Sequence, residues 1–166
     1  MAEERDCIRR VGADSFELAI DLRHAPLYIT RWSGRATLDD AAALQAAFTE
    51  LAEAAEQRGG RIAYVNHVGG LERSSSEVRR RLTEVAAELN RSAHGRASVG
   101  SWNIVSNAVI RGTLRMIRWM TSNEGEDHFV ASLAEGITEA SAALERVGES
   151  VEVVAADYSF PSPDAL

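Results

Sequence analysis

Apolar and polar residues alternate with period two over Phe16-Glu-Leu-Ala-Ile-Asp-Leu22, and Leu27-Tyr-Ile-Thr-Arg-Trp32 is a second apolar-rich run after the turn Arg23-His-Ala-Pro26. Such runs are the mark of half-buried strands, and two of them joined by a tight turn predict a hairpin. The period then changes. Leu44, Phe48, Leu51 and Ala55 recur at helical steps on one face. Thr37 and Asp40 stand ahead of them with capping-box spacing, and Gly59-Gly60 ends the helix. A run of apolar character, Arg61 to Val68, predicts the next strand, bounded by Gly69-Gly70. Ser74 and Glu77 repeat the capping spacing before a second helical stripe of Val78, Leu82, Val85 and Leu89. Ala97 to Val105 reads as a strand, and Ala108 to Met120 as a short helix with Ile110, Leu114 and Ile117 inward. Asp127 to Ala131 is a short strand. Ser132 and Glu135 cap a last helix carrying Leu133, Ile137, Ala140, Leu144 and Val147, closed by Gly148. Val151 to Ala155 is either a final strand or extended tail.

The predicted order is β-β-α-β-α-β-α-β-α. Strands alternating with helices imply an α/β fold with right-handed crossovers: one domain with a mixed, mostly parallel sheet of about five strands and four helices. The opening hairpin makes the first edge antiparallel. Residues 1–14 are expected to be a flexible N-terminus, residues 15–156 the domain, and residues 157–166, with two prolines, a disordered tail.

Composition narrows the function more by exclusion than by assignment. The 166 residues are 45% hydrophobic and 26% charged, as one soluble globular domain requires. A net charge of −7 argues against nucleic-acid binding, which rests on neutralising phosphates. One cysteine, Cys7, excludes an internal disulfide and a thiolate zinc site. The start has no apolar run of the signal-peptide kind, and no stretch approaches the ~20 apolar residues of a membrane span. A cytoplasmic location without a membrane span is the expectation.

Catalytic and cofactor motifs are absent. His24, His67, His94 and His128 are scattered, with no second His or Cys at metal-ligand spacing. There is no Gly-x-Ser-x-Gly elbow, and Gly95 to Gly100 has neither nucleotide-loop spacing. The expectation is a non-enzymatic protein without cofactor or metal. The chemistry that stands out is Ser74-Ser75-Ser76 at a strand-to-helix junction. A phosphate on Ser75 or Ser76 would lie in the first helical turn, where the dipole and free N–H groups favour an anion. Arg79 and Arg80 follow four residues after these serines, within reach of a charge-assisted pair. Ser74 and Glu77 are explained by capping alone. Arg111, Arg115 and Arg118 share a face of the third helix beside Trp119, so these and Arg79/Arg80 are candidate partner-binding residues. A second reading makes the chain a carrier or sensor of a small apolar ligand, with Trp32, Trp102, Met116, Trp119 and Met120 lining its pocket.

The element order, with Trp32-Ser-Gly34 after the second strand and Arg111-Gly112 at the third helix, resembles the divergent bacterial STAS-like proteins, relatives of the anti-sigma factor antagonists. The resemblance covers roughly residues 16–147. It implies a signalling domain that binds a protein partner, a kinase or regulator, or a second copy of itself in a homodimer. In the antagonists an Asp-x-Ser-Gly segment leads to an Asp-Ser-Ser-Gly motif at a helix N-terminus, and a partner kinase phosphorylates its second serine. Here Asn66 matches the first Asp, Gly69 the first Gly, Ser75 the first serine and Ser76 the phospho-acceptor. Ser74 stands in place of the motif's Asp and Glu77 in place of its Gly.

Overall fold

The computed structural model describes residues 7–105 and 126–161. Six strands form a single sheet in sequence order: β1 (Ile8–Val11), β2 (Phe16–Asp21), β3 (Leu27–Gly34), β4 (Ile62–Leu71), β5 (Ser98–Ile104) and β6 (Glu126–Val130). The pairs β1/β2 and β2/β3 are antiparallel, and β3/β4, β4/β5 and β5/β6 are parallel. Helix α1 (Leu38–Gln57) joins β3 to β4. Helix α2 (Ser76–Arg91) and the short α3 (Ala93–Ala97) join β4 to β5, and α4 (Leu133–Arg146) follows β6. This is the mixed, mostly parallel α/β domain expected. The predicted third helix, 108–120, lies outside the described residues.

Chain direction accounts for the layering. Two successive right-handed crossovers that advance the same way across a sheet place their helices on one face. Accordingly α1, α2 and α3 share one core cluster, with Phe16, Leu18, Ile20, Tyr28 and Tyr64 supplied by the strands. Helix α4 ends the sheet and is not a crossover. It closes the opposite face with Leu27, Ile29, Ala63, Val65 and Trp102.

Two expectations are corrected. The sheet has six strands, because part of the stretch read as a flexible N-terminus forms β1, paired from Ile8 opposite Asp21 to Val11 opposite Leu18. Part of the tail read as disordered is docked: Tyr158 donates to Asp21 Oδ2 at 2.9 Å, and the Arg31 guanidinium lies 4.8 Å over the Phe160 ring. Of the two readings of Val151 to Ala155, the tail holds: among the described residues the segment joins no strand of the sheet.

The Trp32-Ser-Gly34 signature has a steric cause. Gly34 has φ +78°, and a Cβ there would sit 1.9 Å from the Ser15 carbonyl oxygen. That carbonyl accepts the Arg35 N–H at 2.7 Å, which fastens the end of β3 to the start of β2. Only glycine allows both the positive φ and the close approach.

Candidate functional site

The N-terminus of α2 is built differently from its sequence pattern. Ser75, not Ser74, is the N-cap: its backbone is extended and its Oγ accepts the Val78 N–H at 3.3 Å. The helix starts one residue later than a Ser74/Glu77 box requires, so Glu77 falls in the second helical position, out of capping register. Ser74 is buried, and its carbonyl accepts from Arg79 Nη1 at 2.6 Å. Ser76 is the first helical residue; it is exposed, and its hydroxyl makes no hydrogen bond among the described residues. Arg80 is exposed and only loosely paired with Glu84, at 3.9 Å. Arg81 spans Glu84 and Glu88, both at 3.3 Å, and reaches Gln45 on α1 at 3.1 Å. Ser75, Ser76, Arg79 and Arg80 therefore lie in the first turns of one helix, with Arg79 turned to the Ser74 carbonyl and Arg80 toward Glu84, and the two serines have different roles. Arg111, Arg115, Arg118 and Trp119 lie outside the described residues.

A second site lies behind that helix. Strand register lines up Tyr28, Tyr64, Ser101 and Asp127 in one row across β3–β6, and Thr30, Asn66, Asn103 and Phe129 in the next. Both rows point toward α1 and α2, and between them opens a cavity of about 290 Å³. Among the described residues its floor includes Trp32, Tyr64, Asn66, Ser101, Asn103 and Asp127. Leu44 and Phe48 of α1, Leu82, Val85 and Leu89 of α2, and His94 of α3 form its walls.

The polar floor is one chain of hydrogen bonds. Trp32 Nε1 donates to Thr30 Oγ1 at 2.7 Å, and Thr30 donates to Asn66 Oδ1 at 2.7 Å. Asn66 Nδ2 donates to Asn103 Oδ1 at 3.0 Å, and Asn103 Nδ2 to Ser101 Oγ at 3.2 Å. Ser101 donates to Asp127 Oδ1. An indole can only donate and a carboxylate can only accept, so the two ends set the direction of every bond and both amide orientations. Such a chain polarises itself toward the carboxylate and is held as a unit.

The apolar end of the cavity is aromatic. Trp32 stacks on Phe48 with ring centroids 6.0 Å apart, Phe48 meets Tyr64 edge-on at 5.3 Å, and Tyr64 stacks on His94 at 5.3 Å. Burial holds the Tyr64 phenol well above its ordinary pKa and pushes His94 down to about 4, so both are neutral at pH 7. The Tyr64 hydroxyl and His94 Nδ1 are buried and have no hydrogen-bond partner among the described residues.

Of the residues expected to line a pocket, Trp32 does so. Trp102 faces the other way, against α4, where its Nε1 donates to Glu139 Oε2 at 2.9 Å and its ring stacks on His128 at 4.8 Å. Its neighbours Ser101 and Asn103 take the cavity face instead, because alternate strand residues point to opposite sides. Met116, Trp119 and Met120 are outside the described residues. Asn103, Ser101 and Asp127 were not anticipated as site residues. Their signal was parity: polar residues recur at every second position of strands that otherwise read as apolar. Among the described residues no three His, Cys, Asp or Glu gather as a metal site. No helix among them is long and apolar enough to cross a membrane.

No family model and no curated protein matches this chain. Among solved structures it is similar to an anti-sigma factor antagonist from Mycobacterium paratuberculosis, at 15% identity over 78% of this chain and 97% of that one, with a TM-score of 0.49.

Proposed function

We propose that this chain is a non-enzymatic signalling or scaffold protein that works by binding another protein, with the N-terminal edge of α2 as the contact surface and Ser76 as its modification point. The observation that carries the reading is the unequal state of the serines. Ser74 is buried and Ser75 is occupied as the cap, whereas Ser76 is exposed at the first helical position with an uncommitted hydroxyl. A phosphate there adds charge where the first-turn N–H groups and the helix dipole stabilise it. Arg79 already holds its guanidinium at the same loop, and exposed Arg80 extends from the helix toward an acidic partner. The partner is a kinase, a regulator or a second copy of the chain.

The test uses wild type, Ser76→Asp and Ser76→Ala as baits in lysate of the native cell, with captured proteins quantified by mass spectrometry. The expected result is a protein whose recovery differs several-fold between the two variants. Equal recoveries overturn the switch. No captured protein, together with a single monomeric species in sedimentation, overturns partner binding. The cavity of about 290 Å³ between the sheet and α1/α2 favours a second reading, the carriage or sensing of a small ligand.

A further inference from the structure

We infer that the C-terminal tail, residues 151–161, is a releasable strap over a peptide-docking strip on β2 and β3, and that the strip takes the same segment of a second copy of this chain once its own is lifted. The strip lies on the α4 side of the sheet, opposite the Ser76 edge, and the inference does not rest on the serine switch.

Among the described residues, no helix lies over that half of the face. Helix α4 packs on β4 and β5 and barely reaches β3. On β2, Leu18 and Ile20 belong to the α1/α2 side, so Ala19 and Asp21 point the other way. Both are fully buried. The tail runs across this half. Tyr158 donates to Asp21 Oδ2 at 2.9 Å, His24 Nδ1 meets the Glu152 carbonyl at 3.0 Å, and the Arg31 guanidinium covers the Phe160 ring at 4.8 Å. Val151, Val153 and Ala155 pack on the cluster that holds Leu27 and Ile29, while Val154 between them is 63% exposed. Alternate side chains turned inward are how an extended peptide seats in a groove.

The hold is by side chains. Among the described residues, no backbone–backbone hydrogen bond joins 151–161 to the rest of the chain. The residues that grip the tail also keep partners when it leaves. Arg23 donates to both Asp21 oxygens, from Nε to Oδ1 at 3.0 Å and from Nη2 to Oδ2 at 2.7 Å, so lifting Tyr158 leaves no unpaired buried charge. Arg31 has Glu17 at 3.9 Å. The root of the tail is fixed separately: Glu149 Oε1 accepts the Arg61 N–H at 2.6 Å. The strap can therefore lift beyond Glu149 while α4 stays seated. Segments held by few buried contacts open before the domain does.

The occupant follows from the fit. The sequence that matches this strip is Val-Glu-Val-Val-Ala-Ala-Asp-Tyr-Ser-Phe160, and every copy of the chain carries it. In cis its effective concentration is on the order of mM, so the strip is closed in a dilute sample. Two lifted copies that exchange tails form a symmetric pair with two identical contacts.

The test uses the full chain with Tyr158→Ala/Phe160→Ala, which loosens the strap without touching the strip. The probe is a fluorescein-labelled peptide of residues 149–161, read by anisotropy. The expected result is saturable binding at least tenfold tighter to the variant than to wild type, and at least tenfold weaker when the peptide carries the same two alanines. Adding Arg31→Gln to the variant is expected to weaken the peptide several-fold, which locates it on the strip. No saturable binding to the folded variant overturns the inference. So does equal binding to wild type and variant, or an affinity that Arg31→Gln leaves unchanged. Phe160→Ala alone replaces the pair if the double variant does not fold; loss of folding in both makes the tail part of the core and also overturns the strap. The Ser76 comparison reads none of these quantities, so either proposal can fail alone.

Discussion

The two faces of one sheet are packed to opposite ends. Toward α4, Leu27, Ile29, Ala63, Val65, Trp102, Ile137, Ala140 and Leu144 are each exposed by 2% or less. Gly136 lets α4 approach closely there: a Cβ would stand 3.0 Å from Val65 Cγ1. Toward α1 and α2 the apolar cluster is larger, but a polar row and a cavity of about 290 Å³ lie along its edge. The strands β3, β4 and β5 contribute to both faces through alternate residues. A filled face can hold the fold together while the opposite face keeps a hydrogen-bonded polar row and unfilled volume, which a purely structural core removes.

That contrast can be broken by truncation. Leu144→Ala removes a fully buried side chain from the filled face and is expected to cost about 2–5 kcal/mol. Leu82→Ala, on a half-buried side chain already beside the cavity, is expected to cost about 1 kcal/mol. Urea unfolding of both variants checks this, and equal losses would erase the distinction between the faces.

Acid is expected to sharpen it. His94 titrates at about 4 in the folded chain against 6.5 in the unfolded one, because burial disfavours its charged form. As pH falls below the unfolded value, the unfolded chain takes up the proton first. Stability is therefore full above about pH 6.5 and declines toward pH 4, by on the order of 3 kcal/mol. His94→Gln should flatten the stability–pH curve in that window. On the other face, burial pushes Asp21 up, but hydrogen bonds from Arg23 and Tyr158 outweigh it and leave the carboxyl below 3.8. Its contribution is present above the unfolded value and is lost as pH falls through the lower folded one. The cavity face thus loses stability at a higher pH than the face strapped by the tail.

The smallest effect concerns the serines. Ser75→Ala is expected to cost about 1 kcal/mol through the lost cap, and Ser76→Ala only a few tenths. Thermal unfolding of the pair distinguishes them. Equal losses would return the cap to a shared role and remove the reason for assigning Ser76 alone to signalling.

Local patterns were the most legible part of the sequence. The Thr37/Asp40 box forms as read: Asp40 Oδ2 accepts the Thr37 N–H at 2.8 Å, and Thr37 Oγ1 accepts the Asp40 N–H at 3.3 Å. Ser132 caps α4 as read, although Glu135 reaches one residue further out, to the Ala131 N–H at 2.8 Å. Strand β1 was hidden because Ile8-Arg-Arg-Val11 has few apolar residues. It is held by its pairing with β2, by the Leu22 N–H bond to the Cys7 carbonyl at 2.8 Å and by Arg9 on Glu50 at 2.7 Å. The docking of Tyr158 was hidden because its anchor, Asp21, lies 137 residues away.

Periodicity by itself determined which residues of each strand and helix turn inward, because side-chain direction is a local property of the backbone. It set the parity of Thr30, Asn66 and Asn103 but not that they would be neighbours. Register between strands belongs to pairing across dozens of residues, and only that pairing assembled the row from Trp32 to Asp127. The same holds for Tyr64 and His94, which come from a strand and a separate short helix. Their ring contact beside the cavity is a product of tertiary packing.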